Sequence, residues 1–291
     1  MRRLPAPSRR PWGFSLVEVA VALIILGLAL GATLKALGPQ LAVRQYANTQ
    51  RVLKDSADAL VAFAMVNRRL PCPASATSTG RESFCTNAAG ACGAEVVDPA
   101  TSVGRTRGRC FAPVNAAFVP GVTLGLSGLA PDGRVLDDWG SPLRYSVSDS
   151  PNIALNNSAL VPAHNCNAAS PCYPFTYADG LRNAYYDAGV PTAVPPAGNR
   201  YVCRSTTGTT AIDCGTATQV AQPAFLVYSY GANHNAGALG ADEAQNSNAT
   251  PVYVSHEPAE NTAANGAFDD LFEWVDPTRL LAKMVSNGVL P

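Results

Sequence analysis

Charge is scarce in this chain. Only 14% of its 291 residues are charged, against about 25% in a typical soluble domain. The 21 basic residues balance 21 acidic ones, a formal net charge of zero, which argues against a globally basic nucleic-acid binder and against a polyacidic tail. Signatures of catalysis are missing too: there is no GxSxG elbow, no HExxH pair, no phosphate loop and no strand-following GxGxxG. The three histidines, His164, His234 and His256, stand in loop-like sequence, and no CxxC pair exists. A zinc centre therefore has few ligands to draw on, and the whole set of absences argues against an enzyme. The 24 glycines and 23 prolines follow no period, which excludes collagen and favours a loop-rich fold.

Cysteine is not lacking. The eight, Cys72, Cys85, Cys92, Cys110, Cys166, Cys172, Cys203 and Cys214, form an even set that fits disulfides in an oxidising compartment. Proximity favours Cys166–Cys172 and Cys203–Cys214, while the first four allow local or nested pairs.

The N-terminus carries the strongest signal. Residues 1–13 hold Arg2, Arg3, Arg9 and Arg10 and no acid, and from Phe14 to Leu34 one charge, Glu18, interrupts an apolar run. As a helix this run spans roughly 31 Å, about the hydrocarbon thickness of a bilayer. The arginines would hold its start in the cytoplasm, so the expectation is a single-pass bacterial inner-membrane segment with the rest of the chain in the periplasm. A secretory signal cut near Gly31 and Ala32, or a twin-arginine signal at Ser8-Arg9-Arg10, would also fit part of this pattern. Neither accounts for Glu18, an acid that is costly in lipid and needs a partner.

Gly13-Phe14-Ser15-Leu16-Val17-Glu18, followed by the apolar run, resembles the prepilin-peptidase site of type IV pilins and type II secretion pseudopilins. The resemblance implies cleavage after Gly13 and N-methylation of Phe14. It also implies pairing of Glu18 with the N-terminal ammonium of a neighbouring subunit during filament assembly. The expected partners are then prepilin peptidase, other pilin or pseudopilin subunits, the membrane and an inner-membrane assembly platform. Nucleic acid is not among them. Loss of the four leader arginines would leave a neutral chain at a formal −4. Lys35 stands where the family often has proline, and Gly38-Pro39 offers a later helix break. Gly27 and Gly31 form a GxxxG pair open to close helix packing.

Leu53, Leu60 and Ala64, with Tyr46 before them and Val43, Ala57 and Phe63 alongside, lie at helical spacing. They read as an amphipathic continuation that must stop at Pro71 and Pro73. Strands are expected at Ala117–Leu126, Pro142–Ser148, Ala224–Tyr230, Pro251–Ser255 and Leu271–Val275. A closing helix is expected after Asp276-Pro277, with Leu280, Leu281, Met284 and Val285 on its apolar face. The expected organisation is a leader (1–13), a membrane or filament-core helix (14–36), its amphipathic continuation (37–69) and a periplasmic head (70–291). The fold class expected is α+β, a long N-terminal helix packed on an antiparallel sheet in a pilin-like, disulfide-stapled head.

Two head segments carry further resemblance to major pseudopilins. Asp137-Asp138-Trp139-Gly140-Ser141-Pro142-Leu143-Arg144-Tyr145 is similar to the turn that opens their sheet, with Trp139 and Tyr145 as core aromatics. Ser229–Gly237, with Asp269 and Asp270 downstream, is similar to their calcium loop. The match puts Asn233 and Asp270 at the two acid positions, with Asp269 beside the second and Asp242, Glu243 and Asn246 in the intervening loop. Asn in place of an acid keeps an oxygen but removes a charge, which weakens calcium binding. The segment therefore reads first as a hydrogen-bonded structural loop, with calcium as the alternative. Arg105, Arg107 and Arg109 alternate and would face one way on an extended segment. They read as a solvated loop, or as a phosphate-contacting strip if the chain is a tip-located minor pilin for adhesion or DNA binding. The functional expectation is a pilin-like or pseudopilin-like structural subunit, with the size of the head favouring a minor one. A membrane-anchored periplasmic enzyme is the remaining rival.

Overall fold

The computed structural model describes Gly13 and residues 15–87, 92–97, 108–111, 117–148, 173–177, 180–182, 199–234 and 239–290, with residues 29–39 described by backbone alone. By its internal contacts the chain divides into two units, Met1–Tyr46 and Ala47–Pro291. Helix α1 runs from Leu16 to Asn67 and covers 52 residues. In the first unit its described side chains from Leu16 to Leu28 are all exposed. Among the described residues, no helix is long and apolar enough to cross a membrane. This corrects the expected single-pass inner-membrane anchor. The side chains described on the first part of α1, Leu16–Leu28, include the charged Glu18, which is costly in hydrocarbon.

In the second unit α1 has a buried face. Leu53, Ala57, Leu60, Val61 and Ala64 are buried, a spacing that keeps them on one side of a helix. The helix ends where Arg68 turns to φ 54°, ahead of Pro71 and Pro73. A buried ion pair anchors this exit. The Arg69 guanidinium donates two hydrogen bonds to Glu82, at 2.8 and 2.7 Å, and both side chains are almost fully buried. Glu82 also accepts from the Cys72 backbone N–H, and the Tyr145 hydroxyl donates to the Pro71 carbonyl.

The strands of the second unit are short. They are β1 (Ser83–Cys85), β2 (Glu95–Val97), β3 (Arg144–Val147), β4 (Tyr201–Cys203), β5 (Gln219–Ala221), β6 (Phe225–Ser229), β7 (Val252–Val254) and β8 (Leu271–Val275). They make three sheets, β1-β2, β3-β6-β8 and β5-β4-β7. The β4–β7 pair is parallel. The described residues are thus α+β, but the expected fold of a membrane-and-amphipathic helix laid on one antiparallel sheet is overturned. No helix among the described residues is long and apolar enough to serve as the membrane half, and the strands are divided among separate sheets, one of them mixed. Strands of three to five residues each offer few ladder hydrogen bonds, so the sheets stay small. Tyr228 is fully buried in a hydrophobic cluster with Val202, Leu226, Tyr230 and Tyr253.

Ala117–Leu126 is not a strand. Phe118 makes only isolated bridges to Ala74 and Arg144. After Pro120 the chain forms the single-turn helix α2 (Gly121–Leu124), closed by Gly125 in the left-handed region. Helix α3 spans Ala241–Asn246 and α4 spans Pro277–Ser286. Leu280, Leu281 and Met284 of α4 are buried, whereas Val285 is exposed. Disulfides join Cys72 to Cys110, Cys85 to Cys92 and Cys203 to Cys214. The second is nested inside the first, while Cys166 and Cys172 lie outside the described residues.

Candidate functional site

Around the expected processing site, Gly13 is exposed and Phe14 lies outside the described residues. Glu18 has a local partner that the resemblance does not supply. Its carboxylate accepts the Ser15 backbone N–H at 3.0 Å, and the Ser15 hydroxyl oxygen accepts the Val17 N–H at 3.2 Å. Glu18 thus reaches back to the Ser15 N–H as in half of a capping box, while the Ser15 hydroxyl caps the Val17 N–H instead of that of Glu18. The signal Ser-x-x-Glu was present in the sequence and is the missed feature of this segment.

The second site is acidic. Glu243, Asp269 and Asp270 each bring a carboxylate oxygen to within 4.8 Å of the others, close enough to hold a metal ion. Glu243 belongs to α3, whose start is held by its own carboxylate accepting the Gly240 N–H. Its other oxygen accepts the Asn233 side-chain amide at 2.8 Å and the Asp269 N–H at 2.9 Å. Asp269 accepts the N–H groups of Ala232 and Asn233 through one oxygen. Asp270 accepts from Asn246 at 2.7 Å. The chain approaches so closely here that a Cβ on Gly231 would lie 2.1 Å from Asp269 Oδ1, and Gly231 has φ +68°, so only glycine fits.

Charge in this cluster is under strain. Burial, then the nearby Glu243, raises the Asp269 carboxyl to about 6. Burial also raises Asp270 well above the usual carboxylate range, against a hydrogen bond from Asn246 that lowers it. Two buried oxygens, Asn233 Oδ1 and Asp269 Oδ1, have no hydrogen-bond partner. Both are acceptors, so a cation would satisfy them where a donor does not. The donor set is all oxygen, which suits calcium and offers zinc neither imidazole nor thiolate.

Three of the four residues expected at a metal, Asn233, Asp269 and Asp270, do come together. The fourth, Asp242, does not. Its carboxylate accepts the Thr206 N–H at 2.7 Å, pairs with His256 at 3.0 Å and accepts the Asn265 amide. Glu243 takes the place expected of its neighbour, because adjacent helical residues point about 100° apart. Asp137 is buried and structural, accepting the N–H groups of Trp139 and Ser141 and the Ser229 hydroxyl. Tyr145 is fully buried, while Trp139 is only half-buried. Arg105 and Arg107 fall outside the described residues, and Arg109 is turned to the Asn87 carbonyl. His164 is also outside the described residues. His234 stacks on Tyr230, and burial, then Arg144, lowers its pKa.

No protein-family model matches the chain, and comparison with curated proteins and with solved structures finds no match.

Proposed function

We propose that the chain is a pilin-like or pseudopilin-like filament subunit, cut by prepilin peptidase after Gly13 and joined to its neighbours through the first part of α1. The observation that carries the reading is the run Leu16–Leu28. It begins three residues after Gly13 and presents side chains such as Leu16, Leu23, Ile24 and Leu28 at 62–90% exposure. Apolar helical surface of this kind is stabilised by packing against like surface. Glu18, in the first turn of that run, is placed on the sequence to meet a neighbour's N-terminal ammonium, and its bond to Ser15 is the resting alternative. In this reading the acidic loop of the second unit holds calcium through Glu243, Asp269, Asp270 and the Asn233 carboxamide oxygen. The ion would supply positive charge to a cluster of carboxylates and stiffen the loop.

Mass spectrometry of the chain co-expressed with a prepilin peptidase tests the reading. An N-terminus at methylated Phe14 is the expected result. A start near Thr33, or an intact leader, overturns it.

A further inference from the structure

The turn Asp137–Ser141 touches two other parts of the second unit. On one side, Asp137 Oδ2 accepts the Ser229 hydroxyl at 2.6 Å, and the Ser229 oxygen in turn accepts the Gly231 N–H at 3.1 Å. Gly231 is the residue whose missing Cβ lets Asp269 close in, and Ala232 and Asn233 donate to that same carboxylate. On the other side, the Asp138 N–H donates to the hydroxyl of Thr49 at 3.1 Å, and the Asn48 amide donates to the Asp138 carboxylate at 3.3 Å. Thr49 is fully buried on α1. Asp137 also holds its own turn rigid through the Trp139 and Ser141 N–H groups. Hydrogen bonds joined by the backbone steps Gly231–Ala232 and Asp137–Asp138 therefore lead from the acidic cluster to helix α1.

We propose that this turn couples cation binding at the acidic loop to the docking of residues 48–49 of α1 on the head, an inference that rests on the calcium reading above. A cation drawing Asp269 and Asn233 inward fixes Gly231 and Ser229, and through Asp137 and Asp138 it fixes the hydroxyl site that Thr49 fills. Linkage requires the effect to run both ways: loosening the helix contact must weaken the cation, and the cation must tighten the helix.

Calorimetric titration of calcium chloride into the full chain, with hydrogen exchange over residues 47–56 in calcium or in EDTA, tests this. Wild type is expected to bind calcium and to gain protection over 47–56. Thr49→Val and Asn48→Ala are expected to bind at least about five-fold more weakly, the lower end of ordinary coupling, with less gain in protection. Met284→Ala, destabilised in α4 and remote from the turn in sequence, controls for general loss of stability and is expected to keep wild-type affinity. Absence of calcium binding by wild type overturns the calcium reading and the coupling with it. Wild-type affinity in both α1 variants, with calcium bound, overturns the coupling alone. Equal weakening in Met284→Ala overturns it as well.

Discussion

Two stretches of the same helix differ in what surrounds them. Leu16–Leu28 carries leucine, isoleucine and valine side chains that are exposed, and among the described residues its one acid, Glu18, is bonded within its own first turn. Leu53–Ala64 carries no stronger hydrophobes, yet Leu60 and Ala64 are completely buried. Just past the helix end, Glu82 is buried against Arg69. Hydrophobicity therefore does not decide burial here. The first stretch is apolar on nearly every side, while the second is apolar on one face and buries that face within the second unit.

The largest expected effect is at the buried acid. Glu82→Ala leaves Arg69 charged and uncompensated, and should cost about 3–5 kcal/mol of head stability in urea unfolding. A loss below about 1 kcal/mol would mean that the pair is solvated and the contrast with Glu18 false. Leu60→Ala follows, at about 2–5 kcal/mol. Its counterpart Leu23→Ala is expected to stay within about 0.5 kcal/mol by the same measurement, while it weakens association between copies in sedimentation. Equal effects would erase the distinction between the two stretches.

The acidic loop comes next. Asp269 and Asp270 are raised in the folded state, so without a cation folding favours their protonated forms. For Asp269 the stability contributed is then fully present below the ordinary value of 3.8 and is lost as pH rises through about 6, and Asp270 is displaced in the same direction. In EDTA the melting temperature should fall across that window, calcium should restore it at the upper end, and Asp269→Asn should flatten the slope. A melting temperature that rises through the window in EDTA would contradict this. The most local effect is at Ser15→Ala, which removes the hydroxyl bond to the Val17 N–H, worth about 1 kcal/mol in the first turn alone. It should fray the first turn by NMR without shifting the head's unfolding midpoint.

Much of the local chemistry was legible beforehand. Pro71 and Pro73 forbid helix, so the end of α1 near Asn67 follows from residues adjacent to it. Leu53, Ala57, Leu60 and Ala64 announced their face by spacing, and strands β3, β6, β7 and β8 lie inside expected runs. Cys203 and Cys214 are 11 residues apart, and nearness in the chain was enough to pair them. Less was legible for Ala117–Leu126, whose alternating pattern invites a strand that Pro120 and Gly121 turn into a helical turn. The parallel pairing of β4 with β7 had no local signal at all, since about fifty residues and another sheet intervene.

Asp242 and Glu243 show where reading residue by residue ends. As neighbours in one loop they were interchangeable oxygen donors. Their roles separate because α3 turns one toward His256 and Asn265 and the other toward Asn233 and Asp269. Helix ends, caps and turns depend on steric rules within a few residues, and those rules are written wherever the residues are. A cluster of carboxylates from positions 243 and 269–270, or a turn that reaches from Ser229 to Thr49, exists only after distant segments have been packed together. What sets it is the shape of the whole core around Tyr228, because loop closure and burial are properties of the folded chain and not of any one stretch.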